Sequence, residues 1–369
     1  MAVNLSRNTK VFITTATLAG TTAPTFTSAN TWALEIQDGW NFSQGTNATN
    51  VQLSEAGATP SRGQRSFNDT LNPVEWSFST YLRPYRIGSG ASSTADAPEL
   101  MLWSALMSNS LTSDTSTTAA APVASIGTTG SDVHQLAAFG LIFIVDNATY
   151  AIENCAVNQA EVSFDLTGIA TAAWSGMGTS LKKITTSPVS GSTATAFPIA
   201  TSSATYAKTF ITNKLSTVAL SSDFTGGTTY SVPITGGTIT YSNNIEYVTP
   251  DTLGTVDAPI GYYTGTRSIS GNLTAYLRTG GTDTGKLLDD MLAANTTTEP
   301  KYRLDVNVGG TTSGNPYVVF NMPYVTLQIP TIDVQDVVST TINFTAQGAT
   351  GSVFDASANN ELTVKYNVA

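Results

Sequence analysis

Short stretches of this chain alternate strictly between apolar and polar residues. In the stretch VEWSFST, the apolar residues Val74, Trp76 and Phe78 are separated by polar ones, and EVSFDLTG and TINFTAQG repeat the pattern. Because successive side chains of a β-strand point to opposite faces, this period indicates strands with one buried and one polar face. Such strands are typical of antiparallel sheets that are solvated on one side.

Helical patterns occur in only two short places. APELMLWSALMSN begins with Pro98 and Glu99, which favour a first helical turn, and TGKLLDDMLAAN places Leu288, Met291 and Leu292 on one predicted face. Charged residues make up only 11% of the chain, fewer than long solvated helices require. The sequence therefore predicts an all-β fold, a β-rich variant of α+β, with one short helix in each half.

The order of these elements occurs twice. Each half is predicted to contain two strands, a helix and four further strands, and the second strand ends in Tyr-Leu-Arg at residues 81–83 and again at residues 276–278. DGWNFS matches GTITYS, and AAWSGMG matches INFTAQG. A repeated order of supersecondary units indicates a tandem duplication. The alternative is two unrelated β domains that share a compositional bias.

The predicted duplication sets the domain limits. The first copy spans residues 1–184, a linker rich in Ser, Thr and Pro spans 185–207, and the second copy spans 208–369. In the first copy, a low-complexity loop at about 108–132 follows the helix and is expected on an outer surface. The final residues, NELTVKYNVA, are expected to form one more strand or an arm.

Two long patterns, WALEIQDGWNFS and FGLIFIVDNATYAIENC, are each interpreted as a single strand.

Glycine pairs at 226–227, 236–237 and 309–310 flank predicted strands, and hairpin turns account for them. Because no Lys-Ser or Lys-Thr follows these pairs, they do not predict a phosphate-binding loop.

The charge and length of the chain exclude several classes of partner. Its 369 residues carry a formal net charge of −10, and Lys and Arg form no cluster that would bind nucleic acid or a membrane surface. The chain has no run of about 18 apolar residues that would predict a membrane span. Its N-terminal apolar run is too short and too often interrupted by threonine for a signal peptide. A single cysteine excludes an internal disulfide framework. We therefore expect a soluble protein that folds in a cytoplasm.

Residues suited to catalysis are scarce. His134 is the only histidine, so no multi-histidine metal site can form, and its place after the low-complexity loop favours an ordinary surface residue. Cys155 lies in an alternating run and is expected to be a small buried residue rather than a nucleophile. The sequence predicts no catalytic residues, no metal and no cofactor, and therefore no enzyme.

Two segments resemble the closing region of the phage tail tube domain. They are YAIENCAVNQAEVSFDLTGIATAAWSGMG and FNMPYVTLQIPTIDVQDVVSTTINFTAQG, the second with Asn321 and Pro323 in place. The resemblance covers about residues 8–180 and 210–350. It implies two tandem antiparallel β-sandwich or barrel tube domains, as in the duplicated T5-type proteins, where three subunits form a pseudo-sixfold ring. No immunoglobulin-like decoration domain is evident at the C-terminus, which differs from that type.

This resemblance implies a structural protein of the virion tail that is assembled in the host cytoplasm. Its rings would stack into a hollow tube through which DNA is ejected without specific binding. The implied partners are other copies of the chain, the tape-measure, terminator and baseplate or tip proteins, and in some tails a sheath. Neither a membrane nor a cofactor is implied.

The resemblance also implies roles for charged residues. Acidic residues among the alternating polar positions of the predicted strands are candidates for the channel lining: Glu75, Glu161, Asp165, Asp333 and Asp336. Arg83 and Arg278 are candidates for pairing with carboxylates of a neighbouring domain or ring, while Leu82 and Leu277 are expected to pack inward.

Two other classes of protein share this composition. An acidic, Thr-rich surface-layer or adhesin subunit is one, although the chain has no calcium-type Asp-Gly repeats. A carbohydrate-active enzyme or binding module is the other, and it would need an exposed aromatic platform. Trp76 and Trp174 lie on apolar faces of alternating strands and are expected in the core instead.

Overall fold

The structure is a computed structural model. It describes residues 8–18, 23–27, 30–51, 65–87, 94–109, 111, 114–116, 123–127, 135–146, 148–188, 210–222, 227–249, 258–294, 302–310, 316–333, 337–348 and 361–367. His134, Asp336 and most of the predicted linker lie outside these ranges.

Strands make up most of the described chain. They are β1 Thr9–Thr14, β2 Thr31–Leu34, β3 Asn41–Val51, β4 Arg65–Tyr81, β5 Tyr85–Ile87, β6 Thr94–Asp96, β7 Asp114–Ser116, β8 Val123–Gly127, β9 Phe139–Val145, β10 Ala148–Asp165, β11 Thr171–Gly178, β12 Leu181–Ile184, β13 Thr217–Ser221, β14 Thr229–Tyr230, β15 Ile234–Ser242, β16 Ile245–Val248, β17 Gly261–Thr264, β18 Ser268–Tyr276, β19 Tyr302–Val308, β20 Tyr317–Leu327, β21 Thr331–Asp333, β22 Ser339–Gln347 and β23 Thr363–Asn367. Helix α1 is Leu100–Met107 and helix α2 is Thr284–Ala294. All pairings are antiparallel, so the prediction of an all-β fold is confirmed.

The long strand β10 organises the first half because it belongs to two sheets. Its N-terminal part pairs with β9 and β12, and β1 and β2 extend that sheet beyond β9. Its C-terminal part pairs with β11, which is followed by β4 and β3. The apolar faces of the two sheets enclose a core that includes Trp76, Phe78, Phe143 and Trp174.

The second half has the same order of pairing, with β20 in the place of β10. Strand β20 pairs with β19 and β23 on one side of the core and with β22 on the other. Strands β13 and β14 extend the sheet beyond β19, and β18 and β15 extend the sheet beyond β22. One helix precedes β9 and the other precedes β19.

The two halves share one sheet and one core. Strand β10 of the first half pairs directly with β15 of the second, so a continuous sheet follows the order β3, β4, β11, β10, β15, β18 and β22. The Trp103 ring of α1 lies against Phe320 of β20, with ring centroids 5.8 Å apart. Asn243 donates to the carbonyl oxygen of Leu106 (2.8 Å) and so joins β15 to the end of α1.

Part of the predicted low-complexity loop forms strands. Strands β7 and β8 pair with each other, and β8 also pairs with β23, from Gly127 opposite Thr363 to Val123 opposite Asn367. The C-terminal segment therefore forms a strand, one of the two outcomes expected for it, between β20 of its own half and β8 of the other. No pattern in the Ser/Thr/Ala-rich loop predicts this pairing.

Several local predictions are wrong. WALEIQDGWNFS forms two strands, β2 and β3, and FGLIFIVDNATYAIENC forms β9 and β10 with a turn at Asp146, whose φ of 55° reverses the chain. Gly236 and Gly237 lie inside β15, where a Cβ on Gly237 would stand 2.5 Å from the Asn272 carbonyl oxygen. Gly309 and Gly310 do form a turn, with φ values of 94° and 84°.

The buried face of α2 also differs from the predicted one. Leu287 and Met291, which are four residues apart, are buried, whereas Leu292 is 50% exposed. Residues four apart lie on one helical face, and the tertiary contact selects the pair that faces β14. Helix α1, in contrast, is buried along its whole length.

Glu99 directly precedes α1 and is fully buried. Its carboxylate accepts a hydrogen bond from the backbone N–H of Arg83 (2.9 Å), and the Tyr366 hydroxyl beside it accepts Trp103 Nε1–H (2.8 Å). Burial disfavours the ionised form more than these contacts favour it, and it raises the pKa of Glu99 to about 7. Below about pH 7 this carboxyl is therefore mostly protonated beside Tyr366 of the C-terminal strand.

This pKa predicts a pH dependence of stability. Above its ordinary pKa of 4.5 the unfolded chain ionises Glu99, whereas the folded chain keeps it protonated up to about pH 7. Its contribution to stability is therefore complete below pH 4.5 and is lost as the pH rises to about 7. As the pH rises between these limits, the free energy of unfolding should fall by about 3 kcal/mol less in Glu99→Gln than in the wild type. Urea denaturation at several pH values measures this difference. Glu246→Gln, at an exposed glutamate, should show the same dependence of the free energy of unfolding on pH as the wild type. The same dependence in Glu99→Gln would contradict the prediction.

Candidate functional site: the polar face and outer edges of the shared sheet

One face of the shared sheet is lined by short polar side chains. A single row crosses seven strands from β4 to β20 and contains Ser79, Ala173, Glu161, Thr240, Ser270, Thr345 and Thr326. The next rows are similar, for example Ser175, Gln159 and Ser242. The opposite face carries the buried aromatic and aliphatic residues of the core. The sheet therefore presents a broad hydrophilic surface on which short side chains predominate.

The candidate carboxylates are spread over this face rather than clustered. Glu75 and Asp165 are exposed and Glu161 is half-buried, each on the face opposite its buried strand neighbours. Asp333 ends the short strand β21, whose backbone alone is described, and Asp336 lies outside the described residues. In the described chain, no group of three or more His, Cys, Asp or Glu residues could hold a metal.

Positive charge is nearly absent from the strands of this sheet. Among the described residues of β3, β4, β10, β11, β15, β18, β20, β21 and β22, the only lysine or arginine is Arg65, at the start of β4. Phosphates are held mainly by lysine and arginine contacts. The described part of the polar face therefore offers few of the side chains that hold phosphates.

The tryptophans predicted for the core are confirmed there. Trp76 and Trp174 are buried, and their ring N–H groups donate to the Met177 carbonyl oxygen (3.3 Å) and to Thr80 Oγ1 (2.9 Å). Cys155 is buried, and burial raises the pKa of its thiol far above the ordinary value. Neither described helix is long and apolar enough to span a membrane.

The junction between β10 and β15 is regular. Seven residue pairs join the strands, from Gln159 opposite Ser242 to Asp165 opposite Gly236. It is the point at which the first half ends and the second begins within the sheet. The sheet therefore passes from one half to the other by ordinary strand pairing.

The two outer edges of the shared sheet are incomplete. At one edge, β3 pairs with β4, and in the described chain no strand covers its other side. Residues 35–40, directly before β3, contact the sheet through an Ile36 bridge to Thr80 and a Gln37 N–H bond to the Ser79 carbonyl oxygen (2.7 Å). At the other edge, β21 is only three residues long. Open edges of this kind are sites where another chain can add a strand.

The two Tyr-Leu-Arg segments end corresponding strands but differ in their surroundings. Tyr81 ends β4 and Tyr276 ends β18; the N–H of each following leucine donates across to Ala170 or Val338 (3.0 Å). Leu82 is buried as predicted, whereas Leu277 is only partly buried.

The two arginines also lie in different environments. The Arg83 side chain, 11% exposed, pairs with Glu35 of its own half and lies 4.4 Å above the Phe210 ring. The Arg278 side chain is 59% exposed and lies 3.8 Å from Asp283 of its own half. Pairing of either arginine with a second chain remains a prediction.

Sequence patterns identified the polar face but not the edges. The alternation of β4, β11 and β22 assigns each side chain to one face, and burial agrees with that assignment. The junction of β10 with β15 pairs residues about 75 positions apart. No local pattern shows which strands become neighbours over that separation; only the match between DGWNFS and GTITYS suggested that β3 and β15 occupy corresponding places.

Comparison with known proteins adds two findings. A family model described as phage tail tube protein matches residues 6–346. The chain is also 32% identical over 353 residues to the tail tube protein pb6 of Escherichia phage T5, and the match covers 94% of this chain and 73% of that protein.

Proposed function

This chain belongs to the phage tail tube protein family, and from that premise we propose that three copies form a closed ring and that the rings stack into the hollow tail tube. The protein is a structural component of the virion tail and not an enzyme. In the proposal each chain supplies two tube domains, residues 1–184 and 208–369, joined by the linker 185–207. Three chains then place six domains around one ring. Membership of this family excludes the surface-layer and carbohydrate-module alternatives.

The rows of the shared sheet support the duplication. Asn41, Ser77 and Ser175 stand side by side in the first half, and Thr240, Ser270 and Thr345 do so in the second. The match of DGWNFS with GTITYS aligns Asn41 with Thr240, and the match of AAWSGMG with INFTAQG aligns Ser175 with Thr345. The two rows are therefore aligned at both ends. Tyr276 lies two residues further from this row than Tyr81, so the repeated tripeptide marks the strand end rather than the same position in the sheet.

The β10–β15 junction is the observation that carries the ring proposal. If the two halves are copies, the pairing that joins the first half to the second within a chain should recur between chains. There it would join the second half of one chain to the first half of the next. The residues needed for it are at the incomplete edges. There 37–43 correspond to the paired residues of β15, and 326–333, which pair with β22 as 159–165 pair with β11, correspond to those of β10. Pairing of these segments would extend β3 and β21 and close the sheet into a barrel.

The polar face is then proposed to line the channel. The apolar face of the sheet is already covered by the core. The face lined by short polar side chains therefore remains for the interior of the tube. Glu75, Glu161 and Asp165 would give this lining negative charge, and DNA would pass without specific contacts. Ring faces would stack head to tail, since a heterologous contact that does not close produces a filament. The tape-measure, terminator and baseplate or tip proteins are the proposed partners of this tube.

A cysteine pair tests the ring and its size. Glu161 faces Thr240 within the chain and pairs with Ala173 on its other side. The counterparts of Glu161 and Thr240 at the incomplete edges are Gln328, whose N–H donates to the Asn343 carbonyl oxygen, and Asn41. Opposed residues of antiparallel strands are close enough for a disulfide. The Asn41→Cys/Gln328→Cys chain, oxidised after assembly, should give covalent dimers and trimers and nothing larger on a non-reducing gel.

The two single-cysteine chains are the matched controls and should stay monomeric, because Cys155 is buried. Covalent products longer than three chains would contradict the three-chain ring. Rings visible by negative-stain electron microscopy without any disulfide would contradict the pairing of these edges. The absence of rings and tubes at every concentration would contradict the proposed assembly itself.

A further inference from the structure

We propose that residues 1–7 of one chain bind across the end of strand β18 in the neighbouring chain of the ring. The site consists of Tyr276, Val337, Val338 and the stem of Arg278. The inference rests on the proposed ring and adds a contact that the paired sheet edges do not provide.

The corresponding place in the first half is already occupied. There the connector residues 210–216 cross the strand end: Thr212 forms a β-bridge with Ile169, and the Ala170 N–H donates to the Ile211 carbonyl oxygen (3.0 Å). The Phe210 ring packs edge-on against Tyr81, with centroids 5.5 Å apart. The connector thus supplies both backbone pairing and an aromatic cover.

In the second half the same strand end is exposed. Tyr276 is 42% exposed. Val337, which precedes Val338 at this strand end as Ile169 precedes Ala170 at the other, is 61% exposed. Within the described chain no segment pairs with the backbone of Val337 as Thr212 pairs with Ile169. An exposed tyrosine and valine beside backbone that is paired in the other half indicate a site for an added segment.

The position of strand β1 identifies the segment. The connector leads into β13, whose first residue Thr217 faces Asn307 close to the turn at Gly309. Strand β1 has the same place in the first half, since its first residue Thr9 faces Val145 beside the turn at Asp146. Residues 1–7 therefore enter the first half where the connector enters the second.

Around a ring, the first half of each chain follows the second half of its neighbour. The preceding seven residues would then lie where the connector lies, between two successive domains. The sequence MAVNLSR is suited to this role, because apolar Met1, Val3 and Leu5 alternate with small or polar residues and no carboxylate interrupts them. Counting back from Thr9 and Thr217, Asn4 corresponds to Thr212 and should therefore face Val337.

A disulfide between two different chains tests this contact directly. Asn4→Cys chains are mixed with Val337→Cys chains, assembled and oxidised, so that only a contact between chains gives a covalent dimer. We expect at least ten times more dimer than from the matched mixture of Asn4→Cys with Ile260→Cys, which carries a cysteine at a 70% exposed position in another part of the surface. Reduction should return all of the product to monomer.

Assembly measurements provide the second test. Val3→Asp and Val337→Asp should each raise the concentration needed for tube formation about tenfold, and the chain with both should need little more than either alone, since the two changes remove one contact. Val337 is exposed in the single chain, so its replacement should leave the melting temperature unchanged.

The outcomes separate this inference from the proposed ring. Tubes that form without the disulfide, or additive effects of the two aspartates, overturn the inference and leave the ring standing. In a chain that carries both Asn4→Cys and Val337→Cys, an intramolecular disulfide formed below the assembly concentration also overturns it. Failure of the wild type to form any ring overturns both.

Discussion

Tubes assembled from Glu75→Lys/Glu161→Lys/Asp165→Lys chains are expected to retain linear duplex DNA that wild-type tubes release. The three substitutions raise the formal net charge of each chain by six, from −10 to −4, and place three lysines on a face whose strands otherwise carry only Arg65 among the described residues. Each lysine that contacts a phosphate displaces a counterion, so affinity should fall with a log–log salt slope of about −0.9 per contact. Three contacts predict roughly a fortyfold loss of affinity between 50 and 200 mM salt.

The measurement compares two forms of the same DNA. A linear fragment can enter an open tube from its end, whereas a closed circular plasmid cannot. If the three residues line the channel, fluorescently labelled linear DNA should co-sediment with the variant tubes and become resistant to nuclease. The circular form should do neither. Binding of both forms would place the three side chains on the outer surface and contradict the proposed lining.

The matched control carries added charge elsewhere. Glu246→Lys/Asp289→Lys replaces two exposed carboxylates outside the strands of the shared sheet. These tubes should not protect linear DNA from nuclease at either salt concentration. Protection by the control would mean that net charge, rather than the position of the lysines, causes retention.

The alternation of the strands was sufficient to predict the class of fold and the two faces of the sheet. In β4, the buried Val74, Trp76 and Phe78 alternate with exposed or partly exposed residues as the sequence indicates. Burial of one face requires this period, and a shift by one residue would expose the whole apolar set. Prediction failed where a single residue decides the path of the chain. Asp146 adopts a positive φ, which Asp and Asn adopt more often than other side-chain-bearing residues. The pair Asp146-Asn147 between two apolar runs is a turn signal that the single-strand interpretation overlooked.

Long-range pairing was the second limit. The strand β8 from the Ser/Thr/Ala-rich loop adds to β23 across more than 230 residues, and the order of apolar residues in either segment does not specify the partner. The positions of Glu75, Glu161 and Asp165 on one face could be predicted because each lies in an alternating run. The fine correspondence of the halves could not, since the most visible repeat, Tyr-Leu-Arg, is displaced by two residues from the shared row.

Gly176 and Gly271 each lie opposite an aromatic ring on the neighbouring strand of the shared sheet. In the first half Trp76 lies over Gly176, and in the second Phe344 lies over Gly271. The two pairs are not counterparts. On the proposed duplication, the row of Trp76 and Gly176 corresponds to Ile269 and Ala346, and the row of Gly271 and Phe344 corresponds to Phe78 and Trp174.

Alanine at either glycine is therefore expected to be among the most destabilising single changes in the chain. A Cβ on Gly271 would stand 2.0 Å from the Thr238 carbonyl oxygen and 2.6 Å from the Phe344 ring, and a Cβ on Gly176 would stand 2.2 Å from the Ala156 carbonyl oxygen and 2.3 Å from the Trp76 ring. Overpacking usually costs about 1–3 kcal/mol, and contact with backbone leaves less room for relaxation. We expect a loss of roughly 4 kcal/mol in the free energy of unfolding for each variant.

Urea denaturation of the unassembled chain measures this loss, with Gly261→Ala as the matched control. Gly261 also lies in a strand, but no atom would stand within 4 Å of its Cβ, so alanine there should change the free energy of unfolding by less than about 0.5 kcal/mol. The two destabilised variants should also fail to form tubes at 37 °C while the control assembles as the wild type does. A loss below about 1 kcal/mol for both Gly176→Ala and Gly271→Ala would show that the strands separate easily at these rows. That result would contradict the close packing of Trp76 on Gly176 and of Phe344 on Gly271.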